Sequence, residues 1–226
     1  MKLETNLFDM GRDAMAAARA AFAGRAFFVS ARRLQADGSW LGPPEATLAL
    51  VEETALAGGL AAARRLGANA VLCSLEGTSV REAVELGMRC LVRVPYAAGE
   101  STKVRRARLD QLGELALRVP GIDGVLPTPM GEAQGLDTLQ FFAACRATCP
   151  ALHVVVDLEL LGHKLGQLCL SFGADEILGP IVGQRPLRLG AYASSNAITR
   201  DEAALLLRAA AFTPCQRLPE GKVQVL

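Results

Sequence analysis

The sequence predicts an α/β protein built as a partial (β/α)6 barrel of the TIM type. Short apolar runs alternate with stretches of helical periodicity, and six such runs follow one another along the 226 residues, 51% of which are hydrophobic. An open doubly wound sheet is the alternative, because a single sequence does not reveal the order of its strands. The sequence contains no stretch that resembles a linker, so we expect residues 1–226 to form a single domain.

The clearest unit lies between residues 152 and 181. Residues 152–156 form a β-branched apolar run that is too short for a helix and is typical of a buried strand. Apolar residues then recur at helical spacing from Leu161 to Phe172, and Gly173 follows where a helix C-cap glycine belongs. A further strand begins near Glu176, so one βα unit leads directly into the next strand, as in parallel α/β folds.

The same alternation predicts the other elements. Strands are expected at residues 26–30, 70–75, 90–94, 122–126, 152–156 and from 176 onwards. Helices are expected at residues 6–23, 45–66, 79–86, 100–119, 136–147, 161–172 and 199–211. Thr199 and Glu202 stand at the two positions of a capping box. The C-terminal helix and tail together occupy residues 199–226, and the sequence does not indicate how the tail packs or pairs.

Charge and cysteine usage limit the functional classes. The net charge is +1, with both signs spread along the chain, so we expect neither a nucleic acid nor a membrane as partner. The N-terminus lacks the continuous apolar region of a signal peptide, and the six cysteines are dispersed within apolar patterns. These features favour a cytoplasmic protein with reduced cysteines. Cys145 and Cys149 have C-x-x-x-C spacing without a third cysteine nearby, so we expect them to be structural.

Polar residues after the predicted strands are candidates for a site, because a barrel places its ligand chemistry at the carboxyl ends of its strands. Asp157, Glu159 and His163 are the candidate catalytic residues, since a carboxylate beside an imidazole can perform acid/base chemistry. The alternative is that Asp157 or Glu159 caps the following helix and His163 is solvated.

A second set of polar residues, most of which follow predicted strands, forms the candidate ligand-binding group. Its members are Ser74, Glu76, Arg93, Tyr96, Glu100, Thr128 and Glu176. Arg93 is suited to a carboxylate or phosphate, although it would equally pair with Glu76 or Glu100. No nucleotide-binding glycine motif and no pattern of metal ligands is present, so we expect no cofactor and no metal site.

Several blocks of the sequence share a pattern with one family. Residues 164–175 read K-L-x-Q-x-x-L-x-F-G-A-D, residues 211–217 read A-F-T-P-x-Q-R, and residues 7–29 and 100–115 add weaker blocks in the same order. The chain thereby resembles radical SAM enzymes of the futalosine route to menaquinone and of deazaflavin synthesis. These are aminofutalosine synthase, cyclic dehypoxanthine futalosine synthase and the FO synthases. The resemblance implies a radical-SAM-like barrel.

The chain differs from that family in the loop that would bind the iron–sulfur cluster. The family holds a four-iron four-sulfur cluster with a C-x-x-x-C-x-x-C loop after its first strand, since thiolates are the ligands such clusters require. Residues 30–46 of this chain contain no cysteine. The resemblance therefore implies a shortened relative, a pseudoenzyme without radical SAM chemistry.

Three functions remain open from the sequence. The first is a small-molecule-binding or accessory protein of a menaquinone or deazaflavin pathway. The second is a non-redox barrel enzyme, a lyase or isomerase, with its site at the strand ends. The third is a structural protein partner of a radical SAM enzyme.

Overall fold

The computed structural model describes residues 7–53, 58–76, 79–132, 135–183, 197–218 and 221–226. Its strands are β1 (Arg25–Leu34), β2 (Trp40–Leu41), β3 (Leu48–Glu52), β4 (Ala70–Cys73), β5 (Arg89–Tyr96), β6 (Ile122–Pro129), β7 (His153–Asp157), β8 (Glu176–Gly179), β9 (Ile181–Val182), β10 (Ile198–Thr199), β11 (Thr213–Arg217) and β12 (Val223–Val225). Its helices are α1 (Leu7–Ala21), α2 (Gly59–Arg65), α3 (Val80–Glu85), α4 (Thr102–Arg118), α5 (Gly135–Thr148), α6 (Leu158–Leu170) and α7 (Arg200–Ala209).

Seven parallel strands form a closed barrel in the order β1-β3-β4-β5-β6-β7-β8. Closure occurs where β8 pairs with β1, with Phe27 in register with Glu176 and Ser30 in register with Gly179. The remaining strands lie outside this ring: β2 forms a hairpin with the end of β1, and β9 pairs with β10. The predicted fold class, an α/β barrel of the TIM type, is confirmed, and the structure shows seven barrel strands where the sequence indicated six.

Two apolar layers hold this architecture together. The larger core lies between the helices and the outer face of the barrel, and the smaller one fills the barrel itself. Interior positions alternate with exterior ones because successive side chains of a strand point to opposite faces. The interior residues are Val29, Ala31, Leu48, Leu50, Ala70, Leu72, Leu91, Leu126, Val155 and Leu178. Since they fill the middle of the barrel, polar side chains are left for its two ends.

One predicted element is wrong. Residues 45–66 were expected to be one helix, but they contain strand β3 and the short helix α2. Alanine, leucine and glutamate have high helix propensity, and the parallel pairing of β3 with β1 and β4 overrides it. The adjacent Gly58 and Gly59 are the local signal against a continuous helix, because glycine weakens a helix interior.

The C-terminal tail has a definite place in the sheet. β11 pairs in parallel with residues 25–28 of β1, while β3 pairs with residues 31–33. β12 then folds back antiparallel to β11. The tail therefore occupies the lower part of the β1 edge, below the part that β3 occupies.

The predicted capping box is confirmed at the start of α7. The Thr199 hydroxyl accepts a hydrogen bond from the Glu202 backbone amide, and the Glu202 carboxylate accepts one from the Thr199 amide. Within the described residues, no helix is both long and apolar enough to cross a membrane.

Candidate functional site

A ring of polar side chains lies above the apolar interior, at the carboxyl ends of the barrel strands. The strand alternation that directs Leu50, Leu72 and Leu91 inward also directs the residue two positions later toward the barrel mouth. The members of this ring are Arg33, Glu52, Ser74, Arg93, Thr128 and Asp157. Four of the strand-end residues expected from the sequence, Ser74, Arg93, Thr128 and Asp157, thus meet at one end of the barrel.

Arg33 joins two carboxylates at this mouth. Its Nη2 donates to Oδ2 of Asp157, and its Nε donates to Oε2 of Glu159 at 3.0 Å. Burial lowers the pKa of Arg33, but the charges of Asp157 and Glu159 outweigh it and the pKa is raised. The guanidinium therefore remains charged and holds the end of β1 to the β7–α6 junction.

Asp157 caps helix α6 and also pairs with Arg33. Its Oδ1 accepts a hydrogen bond from the Glu159 amide at 2.9 Å, which caps the N-terminus of α6. Its side chain is 1% exposed, and burial raises the pKa of Asp157, while the charge of Arg33 opposes that effect. The expected alternative, in which Asp157 caps the next helix, describes these contacts.

Arg93 pairs with a residue that the sequence did not indicate. Its Nη2 donates to Oε1 of Glu52 at 2.7 Å, across the strand β4 that separates β5 from β3. The predicted pairings were with Glu76 and Glu100 instead. Glu52 was missed because its strand, β3, was read as helix.

A cavity of about 250 Å³ opens beside these charges, between the ends of β1 and β3. Its lining combines two charged side chains, one amide and three apolar side chains. The lining residues are Arg33, Leu34, Gln35, Ala36, Leu50 and Glu52. The cavity therefore presents both charge signs next to an apolar wall.

Ser74 and Thr128 of this ring make local hydrogen bonds, whereas Glu76 and His163 lie beyond the strand ends. The Ser74 amide donates to Glu53 at 2.6 Å, and the Thr128 hydroxyl donates to the Leu126 carbonyl at 3.1 Å. Glu76 is exposed after β4, and His163 is half-buried in α6, beyond the kink at Gly162.

Tyr96 and Glu100 support the segment after β5. Tyr96 is 1% exposed, and its hydroxyl shares a hydrogen bond of 2.9 Å with Thr138 of α5. Burial raises the pKa of Tyr96 to about 12, so the phenol stays neutral. Glu100 accepts a hydrogen bond from Arg108 at 2.5 Å. These contacts anchor the β5–α4 connection.

Glu176 lies at the opposite end of the barrel from the mouth, because it begins β8 rather than ending it. Its two oxygens accept hydrogen bonds from Arg89 at 2.6 and 2.8 Å, and Oε2 also accepts one from Arg217 at 2.9 Å. The amino ends of barrel strands usually carry stabilising residues rather than ligand sites. Glu176 thus lies away from the mouth, and its role in ligand binding stays a prediction.

A second buried ion pair explains part of the family-like pattern. Arg146 and Asp175 are both fully buried, and Nη2 of Arg146 donates to Oδ1 of Asp175. Arg146 also donates to the carbonyls of Gly173, Pro150 and Leu152. Gly173 has φ +97°, and a Cβ there would lie 2.8 Å from the Cβ of Arg146. Gly173 and Asp175 of the F-G-A-D sequence therefore contribute to the packing around Arg146.

The residues do not fit an iron–sulfur cluster. The loop between β1 and β3 has no cysteine, and the six cysteines are all buried: five lie on β4, β5, α5, α6 and β11, and Cys149 directly follows α5. Across the described ranges, no three histidine, cysteine or acidic side chains are grouped so that they could hold a metal ion.

The comparisons with known proteins identify the fold. No family model and no curated protein matches the sequence. Methylornithine synthase (PylB) matches with a TM-score of 0.67 and 12% identity, over 94% of this chain and 90% of that chain. A crystal structure of HydG, a maturase of the FeFe-hydrogenase, matches with a TM-score of 0.62 and 10% identity, over 94% and 70% of the two chains. HydG from Carboxydothermus hydrogenoformans gives a TM-score of 0.62 and 10% identity, over 93% and 73%.

These structural neighbours are radical SAM enzymes with a TIM-barrel-like fold, and at such low identity the likeness concerns the fold alone. They do not support the finer resemblance to the menaquinone and deazaflavin enzymes. The chain has a radical-SAM-like barrel fold and lacks cysteines in the loop that follows its first strand.

Proposed function

We propose that this chain is a small-molecule-binding protein that uses the barrel mouth as its site and performs no radical SAM chemistry. The observation that carries the proposal is the cavity beside the ring of polar side chains at the barrel mouth. Pockets at the carboxyl ends of barrel strands are the usual ligand sites of this architecture. Arg33 and Glu52 line the cavity, and Arg93 holds Glu52 in place.

The finer proposal concerns the pathway. The sequence resemblance motivates an accessory role beside an enzyme of menaquinone or deazaflavin synthesis, with a nucleoside-like or related metabolite as ligand. The Gly173 and Asp175 positions of the shared pattern contact Arg146. That part of the pattern therefore has a structural reason that is independent of the pathway.

A thermal-shift titration tests the binding proposal, because a ligand that binds only the native state raises the stability by mass action. The probes are S-adenosylmethionine, futalosine-type nucleosides and small charged metabolites. We expect at least one saturable shift that is lost in Arg93→Met and kept in Arg106→Met, since Arg106 pairs with Asp110 on the exposed face of α4. The absence of any shift across the panel would overturn the proposal and favour a structural partner.

Anaerobic reconstitution with iron and sulfide tests the absence of radical chemistry. We expect no stoichiometric cluster, because the thiols of Cys145 and Cys169 have pKa values raised by burial and are inaccessible. A cluster that cleaves S-adenosylmethionine would contradict the proposal.

A further inference from the structure

The cavity at the mouth carries one positive and one negative side chain in its wall. Arg33 belongs to β1 and Glu52 to the neighbouring strand β3, so the two charges face the same space from adjacent strands. The apolar part of the wall comes from Leu34, Ala36 and Leu50. Opposite charges beside an apolar surface complement a molecule that has the reverse arrangement of charges.

Both charged groups keep unused hydrogen-bonding capacity. In the part of the chain that the structure describes, Arg33 uses Nε and Nη2 for Glu159 and Asp157, and Nη1 makes no hydrogen bond. Glu52 uses Oε1 for Arg93, and within the same ranges Oε2 accepts none. A guanidinium has five N–H donors and a carboxylate about four lone-pair sites, so each accommodates a further partner.

The existing ion pairs also fix these groups in place. Arg33 is held by two carboxylates and is 20% exposed, and Glu52 is held by Arg93. Fixed polar groups bind a ligand without losing much side-chain entropy of their own. Charge-assisted hydrogen bonds to both groups would therefore fix the orientation of a ligand in the cavity.

The volume limits the size of the ligand. Drug-sized ligands occupy pockets of about 300–1,000 Å³. The cavity measures about 250 Å³, so it suits a molecule of amino-acid size more than a nucleoside.

We propose that the cavity binds a small zwitterion of amino-acid size, with its carboxylate on Arg33 and its ammonium group on Glu52. Its apolar part lies against Leu50 and Leu34. This inference rests on the proposed small-molecule function and narrows it to an amino carboxylate, in place of the nucleoside-like ligand that the pathway proposal names. Recognition requires both charges on one ligand.

Isothermal titration calorimetry of the purified chain with the standard α-amino acids, β-alanine and γ-aminobutyrate tests the inference. We expect at least one of them to bind. For that ligand, the amine without the carboxylate and the acid without the ammonium group should each bind at least about tenfold more weakly, because each loses one charge-assisted pair. Glu52→Gln should weaken binding of the zwitterion at least about tenfold, and Glu114→Gln on the exposed face of α4 should not change it.

The outcomes separate this inference from the proposed function. If no amino carboxylate binds while another small metabolite does, the zwitterion is wrong and the small-molecule function stands. If the single-charge analogues bind as well as the zwitterion, or Glu52→Gln has no effect, the assignment of the two charges is wrong. If nothing binds in either panel, both proposals fail.

Discussion

The Glu176 carboxylate and the Arg89 guanidinium form a bidentate pair at the amino end of the barrel, with distances of 2.6 and 2.8 Å. Glu176 is fully buried, and Arg217 adds a hydrogen bond at 2.9 Å from β11. One carboxylate thus joins β5, β8 and β11, three strands that are far apart in sequence. The amino end of the barrel is therefore held by charge, whereas its middle is held by apolar packing.

Replacing Glu176 by glutamine should destabilise the fold by about 3–5 kcal/mol, because it leaves two guanidinium groups without their buried counter-charge. Urea denaturation followed by circular dichroism measures the change. Glu114→Gln is the matched control and should stay within about 0.5 kcal/mol, since Glu114 is exposed. A loss for Glu176→Gln as small as that of the control would mean that the ion pairs do not stabilise the barrel.

The same group predicts an acid dependence of stability. Burial alone would raise the pKa of Glu176, but Arg89 and then Arg217 outweigh it and lower the pKa from 4.5 to about 2. A carboxylate with a lowered folded-state pKa stabilises the fold above pH 4.5, and this stability is lost as the pH falls toward 2. In that window Glu176 contributes a slope of about 1.4 kcal/mol per pH unit to the free energy of unfolding. Measured between pH 6 and 2, the slope should be smaller in Glu176→Gln, and parallel curves would refute the assignment.

The buried pair of Arg146 and Asp175 should show strong coupling. Arg146→Met alone leaves a buried carboxylate and three backbone carbonyls without their donor, so we expect a loss of about 3–5 kcal/mol. A double-mutant cycle with Asp175→Asn should give a coupling energy of about 0.5–3 kcal/mol, as found for residues in one network. Arg81→Met, at an exposed position of α3, is the control for the substitution itself. Additive losses would show that the two side chains act independently.

The capping box of α7 should contribute a smaller amount. Thr199→Ala removes the oxygen that accepts a hydrogen bond from the Glu202 amide. N-cap substitutions of this kind lower the free energy of unfolding by about 0.5–2 kcal/mol. The loss is measured as the shift in the midpoint of thermal unfolding. Thr102→Ala, at an exposed position of α4, is the control. Equal midpoints for the two variants would argue against the cap.

Arg93→Met should separate stability from binding. Arg93 and Glu52 are 36% and 41% exposed, so solvent screens their pairing and its loss should cost less than about 1 kcal/mol. Binding at the mouth should nevertheless weaken, because Glu52 loses the partner that orients it. Urea denaturation and ligand titration of the same preparation check both effects. Unchanged binding would mean that Arg93 does not position Glu52.

The sequence predicted those parts of the fold whose signals are local. The elements of residues 152–179 were predicted to within three positions, because the strand, the helix and Gly173 each follow a local pattern. β3 was missed because its residues favour a helix and its strand character comes from pairing with β1 and β4. Arg89 was missed for a related reason: its partner Glu176 lies 87 positions away, and a linear pattern does not reveal which charges are buried together.

The division of the β1 edge between β3 and β11 has a kinetic consequence. Residues 25–34 precede these partners in the chain, so one edge stays unpaired until β8 forms and the lower part of the other until residues 213–217 form a strand. Contacts over such sequence separations slow folding, because the loop must close before the contact can form. Until then β1 exposes unpaired backbone groups that invite association with other chains. The first strand of the barrel is thus among the last to be completed.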